Sequence, residues 1–425
     1  MQMKPAAAGR LHPEGTAGGM AETGKVEGRK NLKRNRILSV IRYGNEISRH
    51  EIKKSTGYSM TTVLDLVSDL VKKGVLYEED CLETRTGRRP TWLHICPQAV
   101  YAVGVEFFAD RLSCVLVDFS YHVVYTEYTA IDPEDTAEQL IEKIKQAVRK
   151  ALESIGSRQK KVIGIGLGIP GAVDKEKGTA ISYASLPAWK NIPICQILQE
   201  EFGCPVLIEN NINTMAIAVR WQQYREKAED FILLSLKYGI RMGMYLNNRL
   251  FPGCSGSAGE IGHVRLPGAK RFCTCGREGC LETEASSRAM RRKAQERIEC
   301  GHLQELQHLT GGDPHKLTEA MIVEQARKGD PEAAALLSET ADYLGQSLAM
   351  VLSTLNPQRI LVSSQSDLGG ELFSEPFART LKEFTPPVIF DQVSVECVEL
   401  PEYEGAEGAA MMVMENEFMV AEDEL

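Results

Sequence analysis

Four residues able to ligate a metal fall within one short stretch of the chain, with carboxylates on either side of them. The stretch runs from Gly256 to Glu282 and reads GSAGEIGHVRLPGAKRFCTCGREGCLE. His263 is followed by nine residues and then Cys273; Cys275 comes one residue later and Cys280 four residues after that. One imidazole and three thiolates satisfy tetrahedral Zn²⁺, and Gly276 and Gly279 let a short loop fold back on the ion. A sulfur-rich donor set suits zinc, and nothing nearby points to a redox cluster. All four ligands are protein side chains, so the site reads as closed and structural, with no open position for hydrolysis. The competing reading, a Cys-rich surface loop, leaves the density of thiols and the upstream His unexplained.

A second concentration of chemistry lies near the N-terminus. Between Lys25 and Lys54 there are ten basic residues, opposed only by Glu27, Glu46 and Glu51. The whole chain carries a net charge of −9. An acidic protein with a basic head has a polarity that electrostatics can use on DNA. Charge alone fits a solvated helix face equally well. The pattern of the flanking residues decides between the two.

The elements that must position these residues follow from length and periodicity. At 425 residues, 43% apolar and 25% charged, the chain is long enough for two or three soluble domains. The eleven cysteines are odd in number, and only 273, 275 and 280 cluster. That usage favours a reducing cytoplasm over a disulfide framework. There is no apolar run of membrane-spanning length and no apolar stretch of signal-peptide type, so no membrane partner is expected.

Residues 1–29, rich in Gly, Ala and Pro, are expected to form a disordered arm. Residues 30–97 read as one DNA-binding domain. Leu32, Ile37, Leu38 and Ile41 recur at helical spacing up to Gly44. Ser48 opens a short helix with Glu51 completing a capping box, and Gly57 ends it. Ser59 caps a longer helix with Val63, Leu66, Val67, Leu70 and Val71 on one face, closed by Gly74. VLYEED and PTWLHI follow as strands around a loop containing GRRP. Three helices and a two-stranded wing make a winged helix-turn-helix, with 59–73 as recognition helix. No Lys or Arg occurs from Tyr58 to Val71, so guanine readout by an Arg in that helix is not expected. Ser59, Thr61 and Thr62 can bond phosphates or base edges. Positive charge comes from Lys33, Arg34, Arg88 and Arg89, together with Lys30, Arg36 and Arg85.

Residues 98–425 read as an α/β domain of two lobes. YAVGVEFF, RLSCVLVD and HVVYTEYT form a meander, and a helix follows from Thr136 to Ile155. KVIGIGLGIPGAV is a buried strand ending in a glycine-rich loop; VLIEN is another, followed by a helix from Asn211. FILLSLKY and RMGMYL, then Asn247-Asn248 at a tight turn, give another hairpin. Residues 284–355 are mostly helical, ILVSS and VSVECVEL return to strand, and a helix begins near Glu407.

G-x-x-G-E-x-G-H followed by C-x-C-G-x-x-G-C-L-E resembles the signature of the ROK family, which comprises sugar-responsive repressors, uncharacterised reading frames and sugar kinases. STGYSMTTV (55–63) and GRRP (87–90) likewise resemble the N-terminal domain of its repressors, of the N-acetylglucosamine and xylose type. The resemblance implies a duplicated actin-like, hexokinase-type fold behind the winged helix. It also implies that Glu260, His263 and Glu282 bond sugar hydroxyls, with one ring nitrogen of His263 on zinc and the other facing the sugar. Gly171 in GIPG and the Asn210-Asn211 pair complete the implied sugar site. Trp189 is a candidate stacking platform, although a core position suits it better.

Four features of the family's kinases are altered. The first phosphate loop, D-x-G-G-T in the kinases, is here Glu106-Phe107-Phe108-Ala109-Asp110. The second, G-T-G-x-G-x-G, is Tyr238-Gly239-Ile240-Arg241-Met242-Gly243-Met244. Val362-Ser363-Ser364-Gln365 stands where an adenosine loop rich in glycine belongs. Asn211 stands where the kinases carry the catalytic Asp, and a carboxamide has no useful basicity. The sequence therefore predicts a repressor, not an enzyme, with structural zinc, no bound ATP, a sugar or sugar-derivative effector and operator DNA as partners. Palindromic operators would call for a homodimer or dimer of dimers built on the long C-terminal helices. The rivals are a ROK sugar kinase with an appended DNA-binding head and a zinc-stabilised carbohydrate-binding protein with no DNA role.

Overall fold

The computed structural model describes residues 20–44, 47–80, 91–224, 229–236, 239–363, 368 and 370–418. Two compact units emerge: the described residues up to Cys96 together with Phe418, and Pro97–Glu417. Arg85, Arg88 and Arg89, with the whole GRRP loop, lie outside the described residues, as do Tyr238, Ser364 and Gln365.

The first unit holds α1 (Met20–Tyr43), α2 (Arg49–Thr56) and α3 (Met60–Lys72), then β1 (Leu76–Asp80) and β2 (Thr91–Ile95). Helix α1 starts well inside the stretch expected to be an unstructured arm. Ala, Met, Glu, Lys and Arg between positions 20 and 30 favour helix, and Gly24 and Gly28 alone do not stop it. Strands β1 and β2 pair antiparallel from Leu76↔Ile95 to Asp80↔Thr91, and Ile47 bridges to Leu93 beside them. Ile37, Leu38, Ile41, Ile52, Val63, Leu66, Val67, Leu70, Leu76 and Leu93 are buried and make the core. Such a small core leans on its helix ends. Ser48 Oγ accepts from Glu51 N at 3.4 Å, and Ser48 N donates to Glu51 Oε2 at 2.6 Å. Gly57 takes φ +72°, which closes α2 left-handed. Ser48→Ala removes half the capping box and is expected to cost about 1 kcal/mol. In calorimetry of the full chain, that lowers the melting of this unit by about 4–8 °C; an unchanged melt would show that α2 is held by packing alone.

The second unit repeats one sheet topology. β3 (Tyr101–Phe107), β4 (Arg111–Asp118) and β5 (Val123–Ala130) form the meander; α4 (Ala137–Glu153) and β6 (Val162–Ile169) follow. A small sheet comes next, from β7 (Ala172–Asp174), β8 (Thr179–Ser182) and β9 (Lys190–Ile192). Then come α5 (Ile194–Phe202), β10 (Val206–Asn210) and α6 (Asn211–Gln223). The first large sheet has the order β10-β6-β3-β4-β5. The second is built from β11 (Phe231–Ser235), β12 (Arg241–Leu246), β13 (Arg249–Leu250), β14 (Arg359–Ser363) and β15 (Ser394–Cys397), in the order β13-β12-β11-β14-β15. In both sheets a meander is followed by two parallel strands added to the edge of its first strand. This is the duplicated plan that the strand-and-helix order predicted. Asn247 and Asn248 both have positive φ, as a tight hairpin turn between β12 and β13 requires.

Helices α7 (Glu282–Ala285), α8 (Ser287–Glu299), α9 (Gln304–Thr310), α10 (Glu319–Arg327) and α11 (Pro331–Leu355) fill the 284–355 region. Helices α12 (Glu371–Phe384), α13 (Pro387–Phe390) and α14 (Glu404–Phe418) complete the chain. One core lies against the first sheet, where Phe107, Leu116, Ile144, Val148 and Trp189 meet. Another lies between the second sheet and α11 and α12, with Leu234, Leu344, Leu348, Phe373 and Phe377. Trp189 is 1% exposed and sits edge-on to Phe107 at 5.1 Å, so it is a core residue. Among the described residues no helix is long and apolar enough to cross a membrane.

Candidate functional site

The metal-type residues converge on a folded knuckle. Leu266 N donates to Gly279 O and Leu281 N to Val264 O, which pins the two legs of the loop together. Cys273 N donates to Arg277 O at 2.8 Å, and Gly276 and Gly279 turn the chain at φ +83° and +78°. The ligand atoms of His263, Cys273, Cys275 and Cys280 all lie within 4.8 Å of one another. Cys275 Sγ and Cys280 Sγ are 3.6 Å apart, as are Cys273 Sγ and His263 Nδ1. Thiolates on a tetrahedral ion at about 2.3 Å would stand about 3.8 Å from each other, so these four atoms fit a metal. Partial desolvation pushes the Cys275 thiol up, but hydrogen bonds from the backbone and side chain of Arg277, together with those from Cys280 and Cys273, outweigh it and bring it down to about 7. A thiolate is then accessible at neutral pH.

The knuckle hangs over a cleft. His263 ends a single helical turn, Ile261–His263, and turns Nδ1 to the thiols. Its Nε2 lies 3.7 Å from Glu260 Oε2, and Glu260 Oε1 is 3.3 Å from Arg241 Nη1. Glu282 is only two residues beyond Cys280 and opens α7. Its Oε2 accepts from Ile240 N at 3.3 Å. A Cβ at Gly262 would stand 2.9 Å from that oxygen, so glycine there admits the carboxylate.

From the opposite side come β6 and β10. Gly171 follows β6 at φ +83°, and a Cβ there would meet Ser182 O at 2.1 Å. Asn210 Nδ2 donates to Gly171 O at 2.6 Å, while its Oδ1 accepts from Ile212 N and caps α6. Asn210 thus holds the Gly171 loop and starts the helix. Asn211, the next residue, lines a cavity of about 290 Å³ with Phe108, Gly171, Tyr183, Arg241, His263 and Glu282. A second cavity, of about 580 Å³, adjoins it and is lined by Asn210, Glu260, His263 and Cys275 among others. All six residues expected at a sugar site line one or both cavities. Sequence reading did not assign Tyr183, Ser185, Arg241 or Arg288 to the site. Arg241 carried a signal, a guanidinium within a loop that should cradle phosphate. Tyr183 and Ser185 carried none, because they belong to the small sheet's connections. Burial raises the Tyr183 hydroxyl, which leaves it a neutral donor.

The altered kinase positions have physical consequences. Phe108 is buried and lines the smaller cavity, with the Arg111 guanidinium 6.0 Å from its ring centre. A phenyl ring offers nothing to phosphate oxygens, whereas glycine would expose backbone N–H groups to them. Asn211 is buried in the first turn of α6, where it lines the smaller cavity with a carboxamide that cannot take a proton.

In the first unit, Ser59 Oγ accepts from Thr62 N at 3.2 Å and lies 2.9 Å from Thr62 Oγ1. Thr61 is exposed. Lys33 Nζ and the Arg36 guanidinium lie 5.7 and 5.9 Å from the ring centre of Tyr58, the residue before that cap. Two α1 cations are therefore fixed beside the start of α3. Arg34 is half-buried on the same helix.

A model of the ROK family matches residues 102–416. The chain is 28% identical to a xylose repressor of Caldicellulosiruptor bescii over 385 residues, 91% of this chain and 96% of that protein. It is 26% identical to the DNA-binding transcriptional dual regulator NagC of Escherichia coli over 350 residues, 82% of this chain and 84% of that one. A solved ROK family transcriptional regulator, a homolog of the E. coli MLC protein, matches in fold with a TM-score of 0.79 at 20% identity, covering 92% of this chain and 97% of its own. A ROK family glucokinase from Streptomyces griseus, solved with glucose and AMPPNP, matches with a TM-score of 0.61 at 28% identity, over 73% of this chain and 98% of its own. The repeated sheet, the GEIGH-to-Cys knuckle and a family match across most of its length place the chain in the ROK family.

Proposed function

We propose that this protein is a DNA-binding transcriptional regulator, a repressor of carbohydrate-metabolism genes, controlled by a sugar or sugar derivative. One observation carries the reading: a winged helix-turn-helix precedes a kinase-type cleft in which Asn211 replaces the base. The xylose repressor of Caldicellulosiruptor bescii, matched over 96% of its length, supports it. The sugar lies against Gly171, Asn210, Asn211, Glu260, His263 and Glu282, where carboxylates, amides and an imidazole can bond vicinal hydroxyls. Zn²⁺ is held by His263, Cys273, Cys275 and Cys280, and keeps the loop bearing Glu260 and Glu282 in place. Lys33, Arg34, Arg88 and Arg89 contact DNA phosphates, while Ser59, Thr61 and Thr62 lie at the recognition helix. The domains are the DNA-binding domain, which α1 opens at Met20 and which runs to residue 97, and the sensor over 98–425. The protein works in the cytoplasm as a homodimer or dimer of dimers.

The kinase reading requires a base and a phosphate cradle, and Asn211 and Phe108 remove both. A thermal-shift screen against monosaccharides, amino sugars and sugar phosphates tests the choice. A cognate sugar at a hundred times its Kd stabilises the native state by about 2.7 kcal/mol, whereas millimolar ATP–Mg²⁺ gives no shift. Sugar-dependent ADP release above background would sink the repressor reading in favour of the kinase.

A further inference from the structure

Helix α3 turns Thr61, Leu64, Asp65 and Ser68 to solvent, a set that helical spacing places on one face. Val63, Leu66, Val67 and Leu70 are buried on the other. Leu64 is 44% exposed, so this large apolar side chain has little packing role. Asp65 makes no ion pair among the described residues. The Thr62 hydroxyl is taken up by the Ser59 cap. Lys33 and Arg36 sit at the helix start over Tyr58, so positive charge borders this face without lying on it.

We infer that Asp65 and Leu64 are the residues that read the operator, Asp65 through the amino group of a cytosine and Leu64 through the methyl group of a thymine. This rests on the regulator reading above. An ionised carboxylate only accepts hydrogen bonds. In the major groove cytosine presents a lone amino donor, whereas guanine O6 and N7 and thymine O4 are acceptors. Either of those opposite Asp65 would set acceptor against acceptor and leave a desolvated charge unpaired. Adenine offers an amino group, but with the N7 acceptor beside it. The same negative charge repels phosphates, so Asp65 weakens attachment to unrelated DNA while permitting the cognate site. Leu64, one residue away, can bury against the thymine 5-methyl group, which no other base carries.

Selection of duplexes from a random library by the full-length protein tests this. Wild type should enrich sites with an invariant cytosine in each half-site. Asp65→Asn should change that position to adenine, because a carboxamide can bond adenine N6 and N7 together, and should bind random DNA more tightly. Replacing thymine by uracil at the Leu64 position should weaken wild type about fourfold, the worth of one buried methyl, and leave Leu64→Ala unaffected. Asp65 is exposed and makes no ion pair among the described residues, so the Asn variant keeps its fold. An unchanged cytosine with Asp65→Asn, or a uracil substitution without effect on wild type, overturns the assignment alone. No enrichment by wild type overturns the regulator reading and the assignment with it.

Discussion

Cys280→Ala is expected to take the metal content from about one zinc per chain to near zero, and to abolish sugar binding with it. Cys280 is 1% exposed and joins the knuckle to α7, whose first residue, Glu282, lies two positions further on. Without the ion, three remaining ligands are crowded within a few ångströms with nothing to compensate them. Structural zinc supplies on the order of 10 kcal/mol in the small domains where it has been isolated. In this larger unit the loss is limited by how much can unfold locally, which is the loop carrying His263 and the two carboxylates. His263 would lose the partner that orients its ring, and Glu260, 3.7 Å from Nε2, would lose its neighbour. Sugar affinity should fall by at least an order of magnitude, since hydrogen-bonding groups placed in error leave hydroxyls unpaired. Metal analysis and calorimetry with the cognate sugar check both parts. A zinc-free variant that binds sugar like wild type would refute the coupling of metal and ligand. The exposed Cys275 offers a milder comparison through Cys275→Ala, which removes a ligand without opening a cavity in the core.

DNA affinity should collapse with salt. The cations at the start of α3 lie on α1, and those of the wing lie on GRRP, so the expected contacts are to phosphates. Each neutralised phosphate contributes about 0.9 to the slope of log affinity against log salt. Six such contacts across a dimer make a fourfold rise in salt cost about a thousandfold in affinity. Lys33→Ala and Arg36→Ala should flatten the slope by about one unit per contact removed, on operator and random DNA alike. Arg88→Ala and Arg89→Ala should behave in the same way. Thr62→Ala should leave the slope unchanged. Its hydroxyl faces Ser59, so any loss of discrimination would come through the cap and the helix start. Gel-shift titrations over a range of salt concentrations decide the matter. Slopes unchanged in all four basic variants would mean that this unit does not carry the DNA-binding surface.

Local sequence determined much of this protein. The convergence of the His-Cys cluster was legible because Cys273, Cys275 and Cys280 lie within eight residues, and a loop that short can bring its thiols together only in a few ways. The Ser48–Glu51 box, the Ser59 cap and the Gly57 stop were legible because helix ends are settled by residues three or four apart. The repeated sheet was legible because alternation and buried runs recur in the same order. The sequence also determined that Asn211 cannot be a base, since that is a property of the side chain itself. Tertiary structure decided the rest. Tyr183, Arg241 and Arg288 come from three separate elements, and only the folding of both lobes brings them to one cavity with Asn211. Asn210 and Asn211 are alike in sequence, yet one caps α6 and holds Gly171 while the other faces the cleft, because successive residues at a strand-to-helix turn point in different directions. On α3, neighbouring hydroxyls diverge too: Thr61 faces solvent and Thr62 turns back to its cap, a difference set by the 100° step of the helix and by which face the core of the first unit buries.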